Sequence, residues 1–267
     1  MPDRAASIRG TILPVPIILI NLDRSPERLD AMRRQLGGLG LAYDRLPATD
    51  GARLDPGTLA RYYSEALNLR QYHKRLTSGE IGCYISHLRA WEMIVARGWD
   101  YALVLEDDLV LRPEFPDALA ALAALPAGWE MVKLVGGRAK AVAHRIPMGK
   151  FSLVDYYKAP VYTSAQAVSR TAAEKLLRTR LPFGRPADVD LQLPWETGVR
   201  VQGLEPHPVI ARADLPSTIN HVASRKSVPT RRLAFLRQRA ALNLKLLGEN
   251  LRAHGPAVTL RCLVLKK

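Results

Sequence analysis

Cysteine is almost missing from the chain: Cys83 and Cys262 are the only two among 267 residues, and they stand far apart. That excludes a disulfide framework and any cysteine-rich zinc or redox spacing, and a reducing compartment is the default expectation. Aromatic residues make up only 6%, which counts against a surface that stacks nucleic-acid bases. No uninterrupted apolar run reaches the ~18 residues that span a bilayer, so any membrane contact is expected at the surface. The segment "TILPVPIILI" after Arg4 and Arg9 has the outline of a signal peptide. Two prolines interrupt it, however, and "NLDRS" follows where small cleavage-site residues would stand, so it reads as a first strand. Repeats and low-complexity tracts are absent. Acids are scarce: 25 Asp plus Glu face 39 Lys plus Arg, a net charge of +14. That excess favours a polyanionic partner, whether nucleic acid, an anionic membrane or a phosphorylated substrate.

What is present reads as alternating strand and helix. "PIILINL" suits a strand buried on both faces, and "SPERLDAMRRQLGGLG" starts a helix with Ser25 as N-cap and Pro26 at its first position. Leu29, Met32 and Leu36 line one face of that helix, Gly37, Gly38 and Gly40 end it, and "LAYDRLPATDG" supplies the next strand and a turn. This is a βαβ start of the parallel-sheet type. "SGEIGCYISHLRAWEMIVARG" spaces Ile81, Ile85, Leu88, Trp91 and Val95 as a helix stopped by Gly98. "WEMVKLVGG" and "VYTSAQAVSR" read as further strands. Thr171 and Glu174 fit a capping box for "TAAEKLLRT".

"YALVLEDDLVL" places three acids at the end of a buried strand. Ionised carboxylates are costly to bury without a compensating cation or hydrogen bonds. Alternation sets Glu106 and Asp108 on one side and Asp107 on the other. Hard oxygen ligands at a strand's carboxyl end suit Mg²⁺ or Mn²⁺, particularly when a diphosphate completes the shell. The alternative is an acidic loop that caps a helix or pairs with arginines. "NLDRSPER" sets Asn21, Leu22, Arg24 and Arg28 where a strand end meets a helix N-terminus, a place for an anion. Taken singly, Arg28 reads as a solvated surface charge. "ADVDLQLPWE" offers Asp188 and Asp190, on one side if the chain is extended, as a base or as helix caps.

Together these segments, with "AVSRTAAEKLL" and "STI" in the same order, resemble glycosyltransferase family 25 over roughly residues 15–222. That family includes bacterial lipooligosaccharide galactosyltransferases and the collagen galactosyltransferase domains. The resemblance implies an α/β fold of GT-A type with a mostly parallel central sheet, a UDP-sugar donor (often UDP-galactose), inversion at the anomeric carbon, and a divalent metal on a DxD-like motif. Here that motif is Glu106-Asp107-Asp108, with Asp108 as principal metal ligand and Glu106 as a second ligand or ribose contact. Asn21, Leu22, Arg24, Arg28, Ser86 and His87 fall in the donor-nucleotide pocket, as does Asp107, which braces the loop. Asp188, ahead of Asp190, is the candidate base. His221 is a late histidine for the metal or diphosphate, with His207 its competitor.

The last segment differs in composition. Residues 225–267 carry eleven basic residues and one acid, Glu249, so ten of the fourteen net positive charges lie there. As a helix it shows two apolar stripes: Leu233, Leu236, Ala240, Leu244, Leu247 and Leu251 on one side, and Phe235, Leu242 and Leu246 nearly opposite. One stripe is expected to pack on the protein and the other to meet an anionic membrane.

The expectation is a catalytic domain over residues 1–223 and a basic helical tail over 224–267. The enzyme would move a hexose, galactose in family terms, to a lipid-linked saccharide of lipopolysaccharide or another surface glycan. It would work in the cytoplasm, peripheral to the inner membrane face, with Mn²⁺ or Mg²⁺ as cofactor and no nucleic acid as partner. Competing readings are a metal-dependent phosphoryl-transfer or nuclease enzyme and a non-catalytic nucleic-acid binder.

Overall fold

The computed structural model describes residues 15–137, 140–212 and 228–265. Its first unit is the expected βαβ: strand β1 (Ile17–Asn21), helix α1 (Pro26–Gly38) and strand β2 (Asp44–Pro47), which pairs parallel to β1. Ser25 occupies the N-cap position, but its side chain makes no cap bond. Two short helices, α2 (Pro56–Tyr62) and α3 (Glu65–Gln71), lead into the long α4 (Ser78–Ala96). Thr77 caps α4 through a capping box with Glu80. Strand β3 (Tyr101–Glu106) then lies parallel to β1 on its other side.

The chain continues through β4 (Leu109–Leu111), α5 (Phe115–Ala123), β5 (Met131–Lys133), β6 (Val142–Met148), β7 (Phe151–Tyr156) and β8 (Ala165–Ser169). After these come α6 (Arg170–Thr179), the one-turn helices α7 (Ala187–Asp190) and α8 (Pro194–Thr197), β9 (Val201–Glu205), β10 (Val209–Ala211) and α9 (Arg232–Val264). Eight strands form one sheet in the order β2-β1-β3-β8-β5-β9-β7-β6, and β4 pairs with β10 apart from it. The sheet is mixed. β2, β1 and β3 run parallel, as do β5 and β9, while β8, β7 and β6 enter antiparallel. This is an α/β fold whose parallel end is the half that the sequence pattern described.

Strand alternation builds a core on each face of that sheet. Ile17, Leu19, Leu103 and Leu105 point toward Met32 and Leu36 of α1 and Phe115 and Leu119 of α5. Ile18, Ile20, Ala102 and Val104 point toward Ile85, Leu88 and Trp91 of α4 and Ala173 and Leu176 of α6. The expected capping box at Thr171 and Glu174 is not what starts α6. Because β8 runs directly into the helix, its last residue, Ser169, is the N-cap and accepts from Ala172 N at 3.1 Å.

Helix α9 attaches through Leu242 and Leu246, with the 36% exposed Phe235 set edge-on to His73, and Leu233, Leu236, Leu244 and Leu251 face outward. Leu246 is buried with Ala143, Tyr157 and Cys262, and Leu242 and Trp195 pack against that cluster. Asn250 Nδ2 donates to Tyr157 O at 3.0 Å, and Arg261 donates to Ala143 O at 3.2 Å. Gly255, with φ +76°, breaks the helix ahead of Pro256, a backbone conformation that only glycine adopts at little cost. β6 is an edge strand of the sheet, and α9 covers part of it.

Candidate active site at the ends of β1 and β3

The alternation that fills the two cores also aims the acids. Glu106 continues the Ala102 and Val104 face toward α4, where its Oε1 lies 3.0 Å from His87 Nε2 and accepts from Thr163 Oγ1 at 2.9 Å. Asp107 turns the other way. It accepts from Asn21 Nδ2 at 2.7 Å and from Arg28 at 3.2 Å. Arg28 is therefore no solvated charge: its side chain is 6% exposed and pairs with Asp107. α1 places it on the same turn as the core residue Met32, four positions on. Asn21 also donates to Ser25 O and accepts from Arg45, so it ties the first strand end to the acidic loop.

A pocket opens beside these groups, lined by Asn21, Leu22, Arg24, Asp50, Cys83, Ser86, His87, Glu106 and Asp107, among others. Close backbone approach shapes its wall. A Cβ on Gly82 would run into Thr49 O, and one on Gly51 would run into Ser78 O. Glycine at both places lets the first turns of α4 sit against the loop at residues 49–53. Ser86 Oγ then accepts from Thr49 N at 2.8 Å and donates to Gly82 O, and Arg24 pairs with Asp50 at the rim.

Charge in this region is crowded. Burial, together with Glu106 and Asp107, pushes the Asp108 carboxyl up to about 7, because all three carboxylates resist sharing one poorly solvated volume. Asp108 Oδ1 is buried without a hydrogen-bond partner among the described residues. Burial also works against ionised Glu106, but the hydrogen bonds and charge of His87, the Thr163 hydroxyl and the charge of Lys133 outweigh it and hold this carboxyl below its usual range. Asp107 is raised by burial despite Asn21 and Arg28.

Three residues that the motif reading passed over meet here. Lys133 is fully buried in β5, donates to Tyr162 O and, at 3.2 Å, to Gln166 Oε1, and is pushed down to about 8 by burial. A single lysine inside the apolar "WEMVKLVGG" was the available signal. Cys83 precedes His87 by one helical turn, and the ligand atoms of Cys83, His87 and Glu106 lie within 4.8 Å of one another. Burial, with Glu106 and Asp188 nearby, pushes the Cys83 thiol well above its usual range. Thr163, on the loop before β8, gave no sequence signal.

Asp188 and Asp190 do not share a side of an extended strand. Pro186 starts the turn α7, so the two project in different directions. Asp188 acts electrostatically on Cys83 and Lys133, which puts it beside the Glu106 cluster. Asp190 is 2% exposed and accepts from Tyr84 at 2.7 Å, Arg185 at 2.8 Å and Arg180 at 3.2 Å. His207 packs over Gly136 with Nδ1 3.1 Å from Leu204 O. His221 lies outside the described residues. The described chain ahead of it stops at Arg212, whose backbone N–H donates to Asp108 O at 2.8 Å.

Comparison with known proteins bears on this arrangement. Residues 15–144 match the family described as glycosyltransferase family 25 (LPS biosynthesis protein). A "Glycosyltransferase 25 family member" of Aedes aegypti is 33% identical over 184 residues, 67% of this chain and 30% of that protein. "Procollagen galactosyltransferase 2" of Mus musculus is 31% identical over 187 residues, 67% of this chain and 29% of that protein. "Probable inactive glycosyltransferase 25 family member 3" of Bos taurus is 30% identical over 189 residues, 67% and 31% of the two chains. The aligned part thus spans about 30% of the length of these curated relatives. The strand, helix and acidic loop that build the pocket all fall inside the matched region, and the chain belongs to glycosyltransferase family 25.

Proposed function

We propose that this chain is a glycosyltransferase that moves a hexose, with galactose the leading candidate, from a UDP-sugar to a hydroxyl of a saccharide acceptor with inversion. The observation that carries the reading is the buried Oδ1 of Asp108, without a partner among the described residues, in a loop beside Glu106 where burial and charge crowding raise a carboxyl to about 7. The residues fit a divalent cation: two carboxylates supply hard oxygens suited to Mn²⁺ or Mg²⁺. Glu106 and Asp108 would hold it. Bound there, the cation supplies Lewis-acid neutralisation of the negative charge that develops on a leaving diphosphate.

The remaining roles belong to the chain's own side chains. Asn21 and Arg28 hold Asp107, which keeps the acidic loop closed against β1. Ser86 and Gly82 fix the pocket wall on which a nucleotide would rest, and Arg24 stands at its rim. His87 and Thr163 orient Glu106. Asp188 is our candidate for the base that takes the acceptor hydroxyl's proton, since it acts on Cys83 and Lys133 beside Glu106, whereas Asp190 is buried within an ion-pair knot with Arg180 and Arg185. We further propose that the acceptor is lipid-linked, as a lipopolysaccharide intermediate would be, and that the work is done at the inner face of the cytoplasmic membrane.

The test is a panel of nucleotide sugars with Mn²⁺, scored by calorimetric binding and by donor hydrolysis. Selective binding and hydrolysis of one UDP-hexose supports the proposal. Binding of none, or metal-dependent consumption of nucleic acid instead, would replace it with the phosphoryl-transfer reading.

A further inference from the structure

None of the described residues covers the outward stripe of α9. Leu233 is 78% exposed and Leu244 71%, and Leu236 and Leu251 are exposed on the same line. Spacings of three and four residues keep these side chains on one helix face. Past the Gly255 break, Leu260, Val264 and Leu265 are exposed as well. Single exposed leucines are ordinary, whereas an ordered row of this length marks a contact surface. No helix among the described residues is long and apolar enough to cross a membrane, so the row suits a helix lying along a surface.

Charge identifies the occupant. Arg237 stands at one edge of the stripe, with Arg252 further round on that side, and Arg232 stands toward the other, while Arg239 and Lys245 lie nearer the Leu242 and Leu246 side; all are exposed. Arg232, Arg237, Arg239 and Lys245 have no ion pair among the described residues, and Arg252 pairs only with Glu249, three positions earlier on the helix. Arg231, by contrast, is turned inward and donates to Asn68 O and Tyr72 O. A second copy of this chain would set the same unpaired cations against one another across a two-fold axis. An anionic bilayer presents the opposite charge over a flat apolar layer, and arginine and lysine stems can lie along the apolar zone while their heads meet phosphate.

We infer that α9 is an interfacial helix that seats the enzyme on an anionic lipid surface through Leu233, Leu236, Leu244 and Leu251 with the flanking cations. Leu242 and Leu246 on its opposite side hold the protein body. Docking by this surface requires no donor, metal or acceptor, so it is measured independently of the transfer reaction.

The full chain is tested against vesicles of phosphatidylcholine alone and of phosphatidylcholine with phosphatidylglycerol, alongside Leu236→Gln/Leu244→Gln and Arg232→Glu/Arg237→Glu double variants. Wild-type protein is expected to co-sediment with the anionic vesicles, more weakly at high salt, and little with neutral ones. Each double variant should bind about tenfold or more weakly at an unchanged melting temperature, because the altered side chains touch solvent. Failure of wild-type protein to bind anionic vesicles, or undiminished binding by both variants, would overturn the inference. A solution dimer that Leu236→Gln/Leu244→Gln converts to monomer would assign the stripe to a second copy and also overturn it.

Discussion

Tyr84 donates a 2.7 Å hydrogen bond to Asp190 from the middle of α4, and Arg185 and Arg180 close on the same carboxylate. This buried knot joins α4 to the turn that carries Asp188, so the two acids of "ADVD" divide into one held in the knot and one placed beside the Glu106 cluster. Breaking one partner of a buried ion pair leaves its cations uncompensated. Asp190→Asn is expected to cost about 3–5 kcal/mol of stability, read by chemical denaturation. Asp188→Asn should cost less stability than Asp190→Asn and lower kcat by roughly 10²–10⁴ with donor affinity retained. The reverse pattern would exchange their roles.

Asp108 links pH to stability and to metal. Its folded value of about 7 stands above the ordinary 3.8, so the folded state prefers the protonated form. The stability it contributes is complete below about pH 4 and is lost as pH rises through about 7. A bound cation opposes that loss. Differential scanning fluorimetry should show Mn²⁺ raising the melting temperature more at pH 8 than at pH 5, by on the order of a few degrees. Without metal at pH 8, Asp108→Asn should melt above wild type and respond little to Mn²⁺. The same variant should lose most transfer activity, and Glu106→Gln less.

Gly82 is required by contact rather than by backbone conformation, since its Cβ position is taken by Thr49 O. Gly82→Ala must push the 49–53 loop away from α4, at about 1–3 kcal/mol of overpacking. Weakened nucleotide binding should accompany that loss. Gly248→Ala, with open space around it inside α9, serves as the control: it should keep nucleotide binding and gain about 0.5–1 kcal/mol of stability.

The two stripes of α9 should respond oppositely to truncation. Leu246→Ala removes a buried side chain and is expected to cost about 2–5 kcal/mol. Leu244→Ala, two positions away and exposed, should stay within about 0.5 kcal/mol. Equal costs in urea melts would mean that the helix does not pack as described.

Period-two alternation in β3 and the three-to-four spacing in α4 were legible in the residues alone. They suffice to send Glu106 and Asp107 to opposite faces, and to place Ser86 and His87 on the helix beside them, because both periodicities are properties of one element. The two apolar stripes of the tail were legible for the same reason. Which stripe packs was decided by Ala143 and Tyr157, about a hundred residues away in sequence, which supply its partners. Long-range contacts likewise brought Arg28 under Asp107, closed two arginines and Tyr84 on Asp190, and carried Lys133, Cys83 and Thr163 to the acidic cluster. The chain's local pattern sets which face a side chain occupies; only packing of distant elements sets which group it meets there, and charge and hydrogen-bonding chemistry depend on that meeting.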